Sequence, residues 1–316
     1  MSPVPVLGRE SVFAAVSPAA AIEATRHAFV RHARGEWKMP PKIYVDAAPH
    51  GDFRAMPARG EGLAILKWVT SFPRNADRGL PAVAGALLVS SAETGELVAI
   101  LDCAAVTSLR TGAAAALSAL ALAREDAREA GIIGCGVNGG WAARSLAAAG
   151  YRSGVCFDPR RAAAEALAGE LGWRVGSRAE AAAADVVVTV TPGEGPVILA
   201  ADLGDGQHLA VLGADAAGKS EVEPAALERC RLFCDDWEQA AAGGELAAAV
   251  RARRVHREEV TELGAVLVGE ADGRREAGEV TLFDSTGLAI QDLGIAVAVL
   301  EAWREGRVEA AASVEL

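Results

Sequence analysis

Five stretches of the 316-residue chain carry side chains whose types and spacing suit chemistry. The first is Gly131-Ile-Ile-Gly134-Cys135-Gly136-Val137-Asn138-Gly139-Gly140. It is a G-x-G-x-x-G run entered from two apolar residues and left through an Ala-rich stretch, Trp141 to Ala149. That is the strand–turn–helix setting in which this spacing binds a dinucleotide. Gly134 allows the tight turn, Gly136 the close approach of pyrophosphate, and Gly139 close packing of helix on sheet. The helix start, with Val137 and Asn138 in its loop, offers free N–H groups and a positive dipole end to the phosphates. Asp158 ends the next apolar run, 24 residues after Gly134. A carboxylate there binds the adenosine ribose 2′-OH and favours NAD. Arg160 and Arg161 follow at once and could instead grip a 2′-phosphate, which keeps NADP open.

Three further groups suit an anionic substrate. Lys67 lies among Leu66, Trp68 and Val69 in a strand pattern. A lysine in apolar surroundings is costly unless it meets an anion, and its pKa moves readily. Arg110 can form a bidentate pair with an α-carboxylate. Thr111-Gly112 directly after it would let backbone N–H groups approach pyrophosphate. Asp215 follows the apolar run His208–Gly213, with glycines at 213 and 218. At the carboxyl end of such a strand, where ligands bind, a partly buried carboxylate can act as general acid and base.

These groups need elements to hold them. Pro18 to Arg34 reads as an amphipathic helix. Lys42–Asp46, Leu63–Thr70, Val83–Ser90 and Leu97–Asp102 read as strands, with Glu93-Thr-Gly-Glu96 as a hairpin turn. The segment before Lys67 reads as loop, and Thr107 to Arg124 as helix. From Ala130 the pattern alternates. Strands are expected at 130–134, 154–158, 173–175, 185–191, 208–213 and 231–235, with helices between them, which implies a parallel sheet. Leu288 to Arg304 is a final helix that packs back on the first part. The expected fold is α/β. A Rossmann-type doubly wound domain (119–288) is inserted into a discontinuous α+β substrate domain (1–118 and 289–316).

Composition narrows the function classes. The chain is 51% hydrophobic and 23% charged, hence globular. Its net charge of −11 argues against nucleic acid or an anionic membrane as partner. No charge-free run of 18 apolar residues and no signal peptide are read in it, so the expected location is cytoplasmic. The five cysteines form no C-x-x-C, and the five histidines are scattered. Reduced thiols and no metal site are expected.

The four remaining stretches are Met56-Pro57…Lys67 to Pro81, Leu101-Asp102…Arg110 to Ala114, Leu212 to Glu221, and Thr281 to Asp292. Together with the glycine loop, these ordered blocks resemble the ornithine cyclodeaminase/μ-crystallin family, from about Pro40 to Asp292. That family includes cyclodeaminases, alanine dehydrogenase-type enzymes and imine reductases. The resemblance implies that Lys67 contacts the substrate carboxylate or its reacting carbonyl or imine. Asp215 would then move a proton on the substrate nitrogen. Lys42 stands where the family usually has an arginine contacting the carboxylate. Thr189, Thr191 and Pro192 match a loop beside the cofactor, and Ser285, Thr286 and Gly287 its nicotinamide-side loop. Lys219 and Glu221 would position the loop that carries Asp215. Ornithine-cyclising members have an acidic residue two positions before Met-Pro, where this chain has Arg54. A guanidinium there repels a distal ammonium. It suits a second carboxylate, or a small substrate with Arg54 facing solvent, while nearby Asp52 is an alternative acid. The resemblance thus implies an NAD(P)-dependent oxidoreductase acting at the α-carbon of an amino or imino acid. The alternatives are an ornithine cyclodeaminase and a non-catalytic binding protein of the μ-crystallin type. A homodimer through the β-rich domain is also implied.

Overall fold

The computed structural model describes residues 3–315 apart from Gly193 and Ala217, and leaves aside the side chains of Ala76, Asp77 and Glu194. In chain order come β1 (Val4–Leu7), α1 (Arg9–Ala15), α2 (Pro18–Ala33), β2 (Ile43–Ala47), β3 (Gly51–Gly60), β4 (Leu63–Ser71), β5 (Val83–Ser91), β6 (Leu97–Asp102) and α3 (Cys103–Leu122). Then follow β7 (Glu129–Ile133), α4 (Val137–Ala148), β8 (Ser153–Phe157), α5 (Arg161–Leu171), β9 (Arg174–Val175), α6 (Arg178–Ala182), β10 (Val186–Thr189), β11 (Glu194–Ile198), β12 (His208–Val211) and β13 (Ser220–Val222). The last are α7 (Pro224–Leu227), β14 (Cys230–Cys234), α8 (Trp237–Gly243), α9 (Ala247–Arg251), β15 (Val260–Glu262), α10 (Leu263–Leu267), β16 (Val280–Asp284), α11 (Ala289–Arg304) and β17 (Ala312–Val314). The chain packs as two compact units. One joins the residues up to Arg110 with those from Leu288 onward, and the other is Thr111–Gly287. The division falls at Arg110/Thr111 rather than at 118/119, both inside α3, because an unbroken apolar helix carries no local mark of the exact place.

The first unit is built on a seven-stranded sheet in the order β17-β1-β6-β5-β4-β3-β2. The β1–β6 pair is parallel and the others are antiparallel. Along β4, Leu63, Ile65, Lys67 and Val69 are buried, while Leu66 and Trp68 are exposed. This is the period-two alternation of a strand with one face on the core. In the first unit, α11 packs against α2, β3 and β4. The segment read as loop before Lys67 is β3, a ten-residue strand. Pro57 hid it, since proline gives no ladder N–H and argues against a central strand. The proline is tolerated because β2 pairs with β3 only from Gly51 to Ala55. Beyond that point β4 is its strand neighbour. The turn into β4 places Glu61 (φ 49°) and Gly62 (φ 69°) in the left-handed region, the backbone of a tight two-residue hairpin.

The second unit holds an eight-stranded, wholly parallel sheet in the order β15-β14-β16-β12-β10-β7-β8-β9, plus a small pair of β11 with β13. Strand order reverses between β7 and β10, which makes this a doubly wound sheet with its switch point there. Strands buried on both faces explain the near-continuous apolar runs, as in Val186–Thr189 and His208–Val211. The expected strands do not include β16, whose Thr281–Asp284 belongs to a stretch marked out by its chemistry rather than by an apolar run. By length and composition α3 could cross a membrane, but 83% of its apolar window is buried inside the protein.

Candidate active site

In the first unit, β4 directs Lys67 inward, opposite Met56 on β3 and Leu87 on β5. Its side chain is 1% exposed. Lys67 Nζ lies 2.7 Å from Asp292 Oδ2 and donates to Thr107 Oγ1 at 3.3 Å. Burial pushes the Lys67 pKa down, and the Asp292 carboxylate opposes that push. Asp292 stands in the first turn of α11, fully buried, where the helix dipole also favours an anion. Arg110 Nε forms a longer ion pair with Asp292 Oδ1, at 3.7 Å, and this buried donor has no hydrogen-bond acceptor. Thr107 and Arg110 are three residues apart on α3 and share a face. Cys103 lies one turn earlier, and burial pushes its thiol up to about 12, so it stays protonated. Two cations therefore surround one carboxylate in a dry site. The surplus positive charge and the open Arg110 donor suit one more carboxylate.

Lys42 directly precedes β2, one residue before the Ile43–Ala55 pair, and is half-buried. Arg54 does not face solvent, as a small substrate had suggested. Its side chain is 8% exposed. Its Nε donates to Asp52 Oδ1 at 2.6 Å and its Nη2 to Oδ2 at 3.2 Å. The Tyr44 ring lies 5.3 Å from the guanidinium.

In the second unit, the sequence-predicted residues gather at the carboxyl ends of the parallel strands. Gly134 follows β7 with φ 100°, a backbone open to glycine. A Cβ on Gly139 would sit 1.8 Å from Gly134 O, whereas one on Gly136 would meet nothing within 4 Å. Gly136 caps α4 without a side-chain hydrogen bond, and Val137 at the helix start is 69% exposed. The N–H groups around Val137 and Asn138 therefore face open space, which fits the pyrophosphate of a dinucleotide. Asp158 at the end of β8 accepts from Cys135 N at 2.9 Å and from Arg160 N at 2.8 Å. Arg160 bends back to Asp158, and Arg161 pairs with Glu165. Neither arginine is arranged as a phosphate fork. Thr111 and Gly112 fall in the middle of α3, where helical hydrogen bonds occupy their N–H groups. The expected backbone contact with pyrophosphate is thus corrected. Gly112 instead permits close packing on Trp141 of α4.

A buried carboxylate organises the next two strand ends. Glu221 accepts from Thr189 Oγ1 at 2.8 Å, Thr191 N at 2.6 Å and Gly213 N at 2.7 Å. It joins the ends of β10 and β12 and sets the course of the chain into Pro192 and into Asp215. Burial still pushes its pKa up. Glu245 holds the backbone of Glu221 and Val222. Asp215 is half-buried and bonded to Lys219 Nζ at 2.6 Å. Past β16, Asp235 accepts from Ser285 Oγ, Thr286 Oγ1 and Gly287 N, which pins that loop. The sequence reading gave no role to Asp235, Glu245 or Asp292. The one hint was a carboxylate inside an apolar run.

Residues 5–307 match the ornithine cyclodeaminase/mu-crystallin family. Alanine dehydrogenase from Archaeoglobus fulgidus is 40% identical over 94% of both chains. The chain belongs to the ornithine cyclodeaminase/mu-crystallin family. Within it, iminosuccinate reductase from Paracoccus denitrificans is 30% identical over 94% of this chain and 95% of its own. A solved archaeal alanine dehydrogenase dimer with bound NAD superposes with a TM-score of 0.94, at 37% identity and 99% coverage of both chains.

Proposed function

We propose that this member of the family uses NAD to oxidise an α-amino acid at C2, or NADH to reduce the matching imine. The observation that carries the reading is the buried Lys67–Asp292–Arg110 cluster, with two cations on one carboxylate and an Arg110 Nε that has no hydrogen-bond acceptor. The substrate carboxylate enters as the second anion and fixes C2 in place, the orientation on which such catalysis rests. Lys67 and Arg110 hold it, with Lys42 at the edge. Gly134, Gly136, Val137, Asn138, Gly139 and Asp158 hold the dinucleotide, supported by the Thr191-Pro192 and Ser285–Gly287 loops. The favoured cofactor is NAD, because Asp158 is in place and both following arginines are engaged. When bound, the cofactor accepts or returns the C2 hydride. Asp215 exchanges the proton of the substrate nitrogen. In the oxidative direction water adds at C2 of the imine and ammonia leaves, giving a 2-oxo acid, a reduced cofactor and a released proton.

The test mixes the protein with NADH, ammonium and a panel of 2-oxo acids, and with NAD and amino acids. Net cofactor turnover is expected. Lys67→Met and Arg110→Met should each lower kcat/KM by about 100-fold, ~2.7 kcal/mol. Tight NADH binding without net turnover of any panel member would overturn the proposal.

The enzyme is also read as a homodimer. On the sheet face opposite Lys67, exposed Ile43, Val45, Leu66 and Trp68 lie in register with Ala55, Phe53, Pro57 and Ala86. The Phe53 and Trp68 rings stack at 5.6 Å. A contiguous apolar face of this kind suits a second copy. Trp68→Glu should give monomers in sedimentation, and an unchanged mass would refute the assignment. The cytoplasm suits this activity and the five free thiols.

A further inference from the structure

We infer that the second unit carries a further ligand site, at the amino ends of β7 and β8, for a small organic anion with an apolar body. It stands apart from the oxidoreductase reading, because its cavity shares no residue with the cofactor loops.

The cavity lies wholly within the second unit. Its walls are the end of α3, the link from α3 into β7, and the turn from α4 into β8. Its volume is about 590 Å³, the size of a small-molecule site. β7 and β8 are parallel, so the glycine loop and Asp158 sit at the other end of these strands.

Positive charge is in surplus in the cavity wall. Arg152 is exposed and has no partner among the described residues. Arg128 pairs with no carboxylate among them, and its Nη1 donates to Ala127 O at 2.8 Å and Glu125 O at 3.1 Å. Those bonds tie its guanidinium to the wall. Arg124 is engaged by Asp185 and Asp126. Glu125 is the one carboxylate in the lining. Helix carboxyl ends would ordinarily oppose an anion. Here their carbonyls already have donors. Leu122 O accepts from Arg274 Nε at 2.9 Å and Thr281 Oγ1 at 3.1 Å, and the last carbonyls of α4 accept from the N–H groups of Ala149, Gly150 and Tyr151.

Tyr151 adds a directional donor. It lines the cavity and is 9% exposed, and its hydroxyl has no hydrogen-bond partner among the described residues. Buried polar groups are ordinarily hydrogen-bonded, so this one calls for an acceptor from outside the chain. Burial and the Asp185 carboxylate push its pKa up, and the hydroxyl keeps its proton for donation. The rest of the wall is apolar. Ala119, Ala123 and Ala149 line it, and Leu120 is left 49% exposed. Covering such a side chain is favourable. A carboxylate set on Arg152, Arg128 and Tyr151, with an alkyl body over Leu120, answers all of these groups.

The experiment titrates octanoate into wild type, Arg152→Glu, Tyr151→Phe and Arg110→Met by calorimetry, with acetate and 1-octanol as controls. Wild type should bind octanoate saturably, and each control at least about tenfold more weakly, since acetate lacks the body and octanol the charge. Arg152→Glu should weaken octanoate by about tenfold or more, and Tyr151→Phe by about threefold. Both should bind NADH like wild type, which shows that the fold is intact. Arg110→Met separates this site from the substrate clamp, which can also hold a carboxylate, and should leave octanoate binding unchanged. The inference is overturned by absence of saturable binding, by affinity unmoved in Arg152→Glu, or by binding that disappears in Arg110→Met. None of these outcomes touches the oxidoreductase reading, which fails only on absence of net cofactor turnover.

Discussion

Asp292 decides what Lys67 can be. Burial pushes the Lys67 pKa down, and the Asp292 carboxylate at 2.7 Å opposes that push. Removing one partner of such a pair costs about 3–5 kcal/mol, because a buried charge is left unpaired. Asp292→Ala should therefore lower the melting temperature sharply. The double change Lys67→Met with Asp292→Leu should recover most of that stability and none of the activity, as thermal melts and NADH assays would show. His208 makes a second prediction at this scale. Burial pushes its pKa down to about 3, and its ring bonds to Ser118 Oγ and Thr281 Oγ1. The folded imidazole stays neutral while the unfolded one, near 6.5, takes a proton. Stability is then full above pH 6.5 and falls as pH drops towards 3, by about 1.4 kcal/mol per unit. Denaturant midpoints across this range would check the slope, and His208→Gln should flatten it. Lys67 and Arg110 were legible because a cation in an apolar run stands out. Asp292 was visible too, but its partner lies more than two hundred residues away, and spacing along the chain cannot supply that pairing.

At the scale of elements, the glycine loop separates folding from binding. A Cβ on Gly139 collides with Gly134 O at 1.8 Å, while one on Gly136 projects into open space. Gly139→Ala should damage the β7–α4 turn and lower stability. Gly136→Ala should fold normally and weaken NADH binding by about tenfold, ~1.4 kcal/mol. Fluorescence titration beside a thermal melt distinguishes the two. Glu221 belongs to this scale as well, since it ties two strand ends together. Glu221→Gln turns one acceptor oxygen into a donor facing backbone N–H groups. It should raise the KM for NADH and blur the pH profile of kcat, whereas a purely structural role would move the melting temperature alone. Parallel strands in the second unit were legible because burial on both faces leaves long apolar runs, as in Val186–Thr189. β3 was not, since Pro57 is tolerated through the end of pairing with β2, a fact of neighbours rather than of sequence.

For the whole molecule, the return of α11 to the first unit was readable as an apolar helix after the last motif, but the exact place of the division within α3, Arg110/Thr111, was not. An uninterrupted helix has no punctuation to read. That return has a consequence for synthesis. A ribosome that has released the chain as far as Gly287 has delivered every strand of the eight-stranded sheet. β1 still waits for β17, and Lys67 for Asp292. Domains fold as they emerge. The dinucleotide unit of a nascent chain can therefore mature first, and the carboxylate clamp is the last part of the enzyme to be born, although its lysine was among the first residues made.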